Sequence, residues 1–461
     1  MENACGREVT MYDMIIKGGL VVTGEKIQRV DVAISGETIA EIGPDLGASA
    51  SRVIDAEGKV VLPGVVDVHT HPVYVDDLKT LPVTAAHGGV TTVIHYAYAK
   101  PGMGLMEAIG RFREEGEAVS VLDFALHGGL FDPKSQAGEI PKAIEAGVTS
   151  HKMFMTYAKL GWMTDDYQLM RTLDILGQAG GMGMVHAENG LATDYLEDKF
   201  LAQRRDPREA FVDMRPALLE AEALHRAIAM AQVAGCPLYI PHMTAALGID
   251  VVCAARAKGF RVYAETCPQY LTLTHRDLLE QGPLVKIGPP LRDDADRVAL
   301  WSALARGDLD TVASDHAAKD KQVDDEFFAA PYGSPQVETM LSLVYDGGVN
   351  GGWLSLPRLA KVMSENPARI FGLHPRKGTI QVGSDADLVL FDPTVRQRIE
   401  HATQHSQASY TAYEGRTVLG KPVLTIQRGE ILVENGELKA RPGQGRFLRT
   451  ESGKVPLEDL T

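Results

Sequence analysis

Two histidines one residue apart are the first feature of this chain that could perform chemistry. They lie in the segment from Val66 to Pro72, where the β-branched residues before them indicate a strand. Because side chains alternate along a strand, His69 and His71 point to the same side, roughly 7 Å apart along the chain. Two imidazoles that converge on one point can chelate a metal ion, so further ligands are expected at the ends of other strands.

Four more side chains complete a candidate ligand set, each in a predicted strand or at its end. They are Lys152, His186, His242 and Asp315. Four imidazoles and one carboxylate around a common axis suit zinc or a divalent metal of similar character. A lone histidine at a strand end is more often a hydrogen-bonded core residue, so the metal hypothesis depends on the whole set.

Lys152 is the least expected member of this set. The residues that follow it, Met153 to Met155, are apolar, so the segment is predicted to be buried. A buried ammonium without a partner is costly, and beside metal cations it makes no sense as a ligand. A neutral amine that has captured CO2 would instead form a carbamate, whose charge and two oxygens can bridge two metals. The alternative is a lysine that reaches solvent.

The elements that must position these residues are strands followed by helices. Eight strand candidates lie at 65–71, 90–97, 121–128, 150–156, 182–188, 237–244, 261–267 and 310–316. Helices are predicted between several of them, at 106–117, 167–179, 217–234 and 249–258. This repeated alternation predicts an α/β fold with a closed (β/α)8 TIM-like barrel, which places its active site at the carboxyl ends of the strands.

Both ends of the chain have a different pattern. Short runs of β-branched residues bounded by glycine and proline occur at 13–22, 30–36, 385–393 and 424–429. We predict that the two ends pair into one small β-sandwich. The predicted divisions are 10–61 and 375–445 for the sandwich, 62–374 for the barrel and 446–461 for a C-terminal tail.

Composition limits the partners and the location of the protein. Its 461 residues are 45% hydrophobic and 23% charged, which is ordinary for a globular protein. The formal net charge of −15 argues against nucleic acid or an anionic membrane as a partner. The protein is predicted to be cytoplasmic for three reasons. Its four cysteines, Cys5 among them, are widely spaced, its start at residues 1–7 is unlike a signal peptide, and it lacks a long apolar run.

The six candidate ligands resemble those of the cyclic amidohydrolases, and above all of the dihydropyrimidinases and D-hydantoinases. The resemblance covers nearly the whole chain and includes the runs at 62–67, 88–92, 220–223, 265–271, 289–292, 366–373 and 383–389. It implies a binuclear-metal hydrolase, with zinc as the expected metal, that opens a dihydropyrimidine or 5-substituted hydantoin by metal-hydroxide attack. The product would be an N-carbamoyl amino acid, and the assembly a homotetramer.

The resemblance also implies individual roles. One metal ion would be held by His69, His71 and Asp315, the other by His186 and His242, and N6-carboxylated Lys152 would bridge them. Asp315 would take the proton of the attacking hydroxide and pass it to the leaving nitrogen. Tyr157 would stabilise the oxyanion. Gly288 and Tyr332 would bind the substrate ring together with Tyr157.

Several departures bear on the substrate. Pro72 follows the histidine pair where dihydroorotases usually carry an arginine, and allantoinases generally lack a tyrosine at the position of Tyr157. Tyr332 stands where the family has an asparagine, Gly288 where it has a serine, and the loop after His71 is shorter. We therefore predict a wider pocket for a bulkier or different cyclic amide. Slower hydrolysis of all 5-substituted hydantoins than of dihydrouracil would contradict this.

Two alternative functions stay open at this point. One is another cyclic amidohydrolase, such as an allantoinase. The other is a non-catalytic scaffold protein that resembles dihydropyrimidinases, keeps the barrel and has lost metal ligands. All six ligand positions carry competent residues here, which favours an enzyme over a scaffold.

Overall fold

Short strands form the N-terminal part of the chain. The computed structural model describes residues 11–47 and 49–460, so Cys5, the predicted start at 1–7 and the outer limits 10 and 461 of the predicted divisions lie outside the described residues. The strands are β1 (Tyr12–Lys17), β2 (Leu20–Val22), β3 (Ile27–Arg29), β4 (Asp31–Ser35), β5 (Thr38–Gly43), β6 (Ala50–Asp55) and β7 (Val60–Pro63). Four of them form a sheet in the order β5-β4-β1-β6.

Eight parallel strands form the centre of the molecule. They are β8 (Val65–Thr70), β9 (Val90–Ala99), β10 (Asp123–Leu130), β11 (Ser150–Phe154), β12 (Met182–His186), β13 (Leu238–Ile240), β14 (Val262–Thr266) and β15 (Thr311–Val312). They pair in chain order, and a parallel bridge between Thr70 and His316 joins the first strand to the segment that follows the last. The predicted barrel is confirmed. Strands β13 and β15 end earlier than predicted because the chain leaves the extended conformation at His242 and Asp315, whose φ angles are 43° and 51°.

Helices connect the barrel strands. They are α1 (Thr80–His87), α2 (Leu105–Val119), α3 (Pro133–Gln136), α4 (Ile140–Glu145), α5 (Asp166–Ala179), α6 (Gly190–Ala202), α7 (Pro207–Met214), α8 (Ala217–Val233), α9 (Ala246–Arg256), α10 (Pro268–Thr272), α11 (His275–Gln281), α12 (Asp294–Arg306), α13 (Met340–Val344), α14 (Leu356–Ala360) and α15 (Asn366–Ile370). The four predicted helices correspond to α2, α5, α8 and α9. None of the helices in the described ranges is both long and apolar enough to cross a membrane.

Strands from both ends of the chain share the second sheet. The last strands are β16 (Leu388–Arg398), β17 (Thr417–Gln427), β18 (Glu430–Glu434) and β19 (Glu437–Leu438). The sheet runs β19-β18-β17-β16-β7-β2-β3. Ile16 and Ile34 of the first sheet share one apolar core with Leu388 and Ile426 of the second. The predicted β-sandwich from both chain ends is confirmed, whereas the exact divisions stay a prediction.

The amino end of the barrel is closed by apolar side chains. Tyr96 and Met184 inside the barrel share a core with Phe371, Leu448 and Leu460. The backbone N–H of Leu448 also donates to the carbonyl of Phe124 at 2.7 Å, which fixes the C-terminal segment against the start of β10. The opposite, carboxyl end of the barrel is the one that carries the candidate site.

Candidate metal and active site

A cavity of about 310 Å³ lies at the carboxyl ends of the barrel strands. Its volume is at the lower end of the range for small-molecule pockets, roughly 300–1,000 Å³. Its lining includes all nine residues predicted from the sequence: His69, His71, Lys152, Tyr157, His186, His242, Gly288, Asp315 and Tyr332. Residues up to 263 positions apart in the sequence, from His69 to Tyr332, therefore meet in one place.

The first group of candidate ligands consists of His69, His71 and Asp315. The Oδ1 atom of Asp315 lies 3.1 Å from Nε2 of His69 and 3.0 Å from Nε2 of His71. One ligand atom from each residue lies within 4.8 Å of the others, which is close enough for all three to hold one ion.

The outer nitrogens of the same two histidines have fixed partners. Nδ1 of His69 lies 2.6 Å from Oε1 of Glu265, and Nδ1 of His71 lies 2.8 Å from the hydroxyl of Tyr98. The same Glu265 oxygen also accepts the backbone N–H of His242 at 3.0 Å. Partners of this kind orient a metal-binding imidazole and leave its other nitrogen free for the ion.

The second group of candidate ligands consists of Lys152, His186 and His242. The imidazole centroids of His186 and His242 are 4.5 Å apart, and Nζ of Lys152 lies 3.5 Å from Nε2 of His242. Nε2 of His186 contacts Glu188 at 2.7 Å, and Glu188 in turn pairs with Arg215 at 2.8 Å. The Nδ1 atom of His186 is therefore the nitrogen left for an ion.

Lys152 has the surroundings expected of a neutral amine. Its side chain is 1% exposed, and its Nζ lies 5.4 Å from the ring centre of Tyr96 and 5.6 Å from that of Phe154. In the described parts of the chain it forms no ion pair. Burial lowers the pKa of Lys152 to about 8, so the neutral form that can react with CO2 is accessible near neutral pH. The position fits a carbamate better than it fits a permanent ammonium.

The charge states of His71 and His242 also fit a cation site. Burial lowers the pKa of His71 to about 4 and holds that of His242 well below its usual range, so both are neutral, as metal ligands must be. His69 differs. Burial opposes its charge, but Glu265 and Asp315 on either side raise its pKa to about 9. The same two carboxylates favour any cation placed beside them.

Tyr157, Gly288 and Tyr332 meet on one wall of the cavity. A Cβ atom added to Gly288 would lie 2.9 Å from the Tyr157 hydroxyl and 3.2 Å from Cδ1 of Tyr332. Arg215 donates to the Tyr332 hydroxyl at 3.2 Å. Burial raises the pKa of Tyr157 well above its usual value, so its hydroxyl keeps its proton and can donate a hydrogen bond to an oxyanion.

Three site residues have left-handed backbone conformations. The φ angle is 66° at Tyr157, 43° at His242 and 51° at Asp315. Such conformations cost a non-glycine residue on the order of 1–3 kcal/mol and persist only where the surroundings impose them. Here each one turns a side chain at the end of a strand into the cavity.

The short loop after His71 is fixed against the segment that follows Asp315. The backbone N–H of Val75 donates to the carbonyl of Ala318 at 3.2 Å. Asp76 is fully buried, and its Oδ2 lies 2.9 Å from Nε2 of His316. This arrangement places Tyr74 in the wall of the cavity.

The comparisons with known proteins agree with this geometry. The sequence profile of the amidohydrolase family matches residues 60–432. The chain belongs to the amidohydrolase family. This amidohydrolase is 40% identical to the D-hydantoinase of Ralstonia pickettii over 459 residues, which is 96% of this chain and 100% of the relative. The resemblance to hydantoinases and dihydropyrimidinases is confirmed.

Solved structures of relatives superpose closely on this amidohydrolase. The dihydropyrimidinase from Brevibacillus agri has a TM-score of 0.91 at 36% identity, over 96% of this chain and 100% of that one. The L-hydantoinase (dihydropyrimidinase) from Arthrobacter aurescens has a TM-score of 0.91 at 33% identity, over 95% of this chain and 100% of that one.

Sequence reasoning did not assign several residues of the site. Glu265 was visible only as part of a longer run, although its place at the end of a barrel strand is a signal in itself. Glu188 lies two residues after His186 and so shares its side of the chain, which could have indicated a partner. Arg215 and Lys319 lie in connections between strands, where no spacing predicts that Arg215 contacts Glu188 and Tyr332 or that Lys319 lines the cavity.

Proposed function

We propose that the protein is a metal-dependent hydrolase that opens a dihydropyrimidine or 5-substituted hydantoin ring to an N-carbamoyl amino acid. The observation that carries this proposal is the convergence of four histidines, one aspartate and one buried lysine at the carboxyl end of the barrel. The names of the relatives, D-hydantoinase and dihydropyrimidinase, support the class of substrate.

The residues divide into two candidate metal positions. His69, His71 and Asp315 would hold one divalent ion. His186 and His242 would hold the other, and carboxylated Lys152 would join the two. The nitrogen-rich donor set suits zinc. When bound, two such ions supply a nucleophilic hydroxide at neutral pH and polarise the amide carbonyl.

The side chains of this protein would do the remaining chemistry. Asp315 would accept the proton released by the attacking hydroxide and pass it to the ring nitrogen that leaves, as a general base and then a general acid. The hydroxyl of Tyr157 would donate a hydrogen bond to the carbonyl oxygen as that oxygen gains negative charge. Gly288 and Tyr332 would position the substrate ring against this hydroxyl, since Gly288 lies next to it and the Tyr332 ring packs 5.8 Å from the Tyr157 ring, centre to centre.

Assembly and location are part of the same proposal. We propose a cytoplasmic homotetramer whose partner is a small cyclic amide and not a nucleic acid or a membrane. The net charge of −15 supports the exclusion of polyanions. Three cysteines in the described ranges, Cys236, Cys253 and Cys267, are unpaired, which suits a reducing compartment. Mass measurement by light scattering tests the tetramer.

The test of the function is ring opening by zinc-loaded, bicarbonate-treated protein. Dihydrouracil and hydantoin are the first substrates, and Asp315→Asn is the matched control. We expect turnover by the wild type and a loss of about 10²–10⁴-fold in kcat in the variant, because the amide cannot accept the proton. A wild type that holds two metals per chain and opens neither these rings nor 5-substituted hydantoins would overturn the proposal.

A further inference from the structure

Lys319 is a cavity residue that the proposed reaction does not use. It lines the same cavity as the candidate ligands and lies four positions after Asp315. Its side chain is only partly exposed. The short loop reaches it directly, because Val75 pairs with Ala318, the residue before Lys319.

The ammonium of Lys319 has an aromatic neighbour but no anionic one. Its Nζ lies over the ring of Tyr74, 2.6 Å from the ring centre, so the two side chains are in direct contact. Within the ranges that the structure describes, it donates to no oxygen and pairs with no carboxylate. Burial alone lowers the pKa of Lys319 to about 7, with no acidic side chain to counteract it.

In contrast to Lys319, Lys286 in the cavity lining and Arg215 next to Tyr332 both have polar partners. Nζ of Lys286 donates to three backbone carbonyls, those of Phe327, Phe328 and Ala330, at 2.7–3.0 Å. Arg215 pairs with Glu188. A half-buried ammonium that faces a ligand cavity without such partners is a position that an anion would stabilise.

We infer that Lys319 and Tyr74 form a subsite for a carboxylate carried on a short arm of the substrate ring. This inference rests on the proposed function and narrows its substrate class to cyclic amides with an anionic substituent. The ring would lie against Tyr157, Gly288 and Tyr332, and the arm would extend to Lys319. The hydrogen bond from Val75 to Ala318 holds the segment of Tyr74 beside that of Lys319.

The test compares two hydantoins that differ only in charge. One carries a carboxymethyl group at carbon 5, and the other carries the corresponding neutral amide. For metal-loaded wild type we expect kcat/KM to be about 10–100-fold higher for the acid. This is the usual effect of one charge-assisted hydrogen bond in a partly desolvated site. The preference should lie mainly in KM, because the arm is remote from the reacting carbonyl.

Variants at position 319 test whether the Lys319 side chain causes the preference for the acid. Lys319→Met keeps the length of the side chain and removes its charge, so the ratio of kcat/KM for the acid to that for the amide should fall to about one. Lys319→Arg should keep the preference. Lys421→Met, at an exposed position of β17, is the matched control and should leave the ratio unchanged.

The outcomes separate this inference from the proposed function. Wild type that opens unsubstituted hydantoin but shows no preference for the acid would overturn the inference alone. Equal losses for acid and amide in Lys319→Met would also overturn it. Wild type that opens no ring at all would overturn the proposed function and this inference with it.

Discussion

At the level of single residues, the two departures from the family pattern at Gly288 and Tyr332 are complementary in size. A Cβ at position 288 would lie 2.9 Å from the Tyr157 hydroxyl and 3.2 Å from Cδ1 of Tyr332, so the glycine lets both rings approach. The family resemblance leads one to expect a serine at 288 and an asparagine at 332. That pair has a larger side chain at 288 and a smaller one at 332. The two positions therefore act as a pair that shapes the wall against which the ring lies.

We predict that Gly288→Ser lowers kcat/KM for hydantoin by on the order of 10²-fold, because its Cβ would displace the hydroxyl of Tyr157 or the ring of Tyr332. The double variant with Tyr332→Asn should recover most of the loss, since it removes the clashing ring. Steady-state kinetics on the three proteins measures this. Gly110→Ala, where a Cβ meets no atom within 4 Å, is the control.

If the single and double variants were equally impaired, Gly288 and Tyr332 would not be coupled. If Gly288→Ser kept full activity, the contact with Tyr157 would be unimportant for turnover.

At the scale of elements, the ends of β8, β13 and β14 are joined by one carboxylate. Glu265 accepts from His69 and from the backbone of His242, and also from the hydroxyl of Tyr239 at 2.8 Å. Because Glu265 is fully buried and contacts ligands from both groups, it positions them relative to each other. It is a positioning residue and touches no reacting atom.

We predict that Glu265→Gln weakens zinc binding by about 10–100-fold, the usual effect of losing an outer partner of a histidine ligand. Competition with a chelator measures the affinity. Glu437→Gln, on the exposed strand β19, should bind zinc as the wild type does. Unchanged affinity in Glu265→Gln would show that His69 does not depend on this contact.

Most of the barrel strands and the positions of the candidate ligands could be predicted from the sequence. Eight strands and four helices followed from the alternation of β-branched runs with amphipathic ones, and the predicted ligands lie together because a barrel brings strand ends to one rim. The early ends of β13 and β15 could not be predicted, because the positive φ angles of His242 and Asp315 are imposed by tertiary contacts. Glu265, Arg215 and Lys319 were not assigned for a similar reason: their roles depend on which strands and connections are neighbours.

At the scale of the whole molecule, buried charges fasten the sandwich to the amino end of the barrel. Nζ of Lys377 lies 2.6 Å from Asp123 at the start of β10 and 2.9 Å from Asp387 just before β16. Arg428, just after β17, also pairs with Asp123. Lys377 and Asp123 are at most 1% exposed, so removing either charge would leave the other buried and unpaired, which costs folding free energy.

We predict that Lys377→Met lowers the free energy of unfolding by about 3–5 kcal/mol, since it leaves buried carboxylates without their cation. Urea unfolding at neutral pH measures the loss. The exposed Lys439→Met is the control and should leave stability unchanged. A loss no larger in Lys377→Met than in the control would mean that the network does not hold the two parts together.

We propose above all that carboxylated Lys152 would hold two metal ions where the barrel strands end. The most direct measurement is the number of zinc ions per chain, together with hydantoin turnover, in wild type and in Lys152→Met after bicarbonate and zinc treatment. We predict two zinc ions and turnover for the wild type, and fewer than two ions with turnover lost for a variant that still folds. Two zinc ions and undiminished turnover in Lys152→Met would contradict the account.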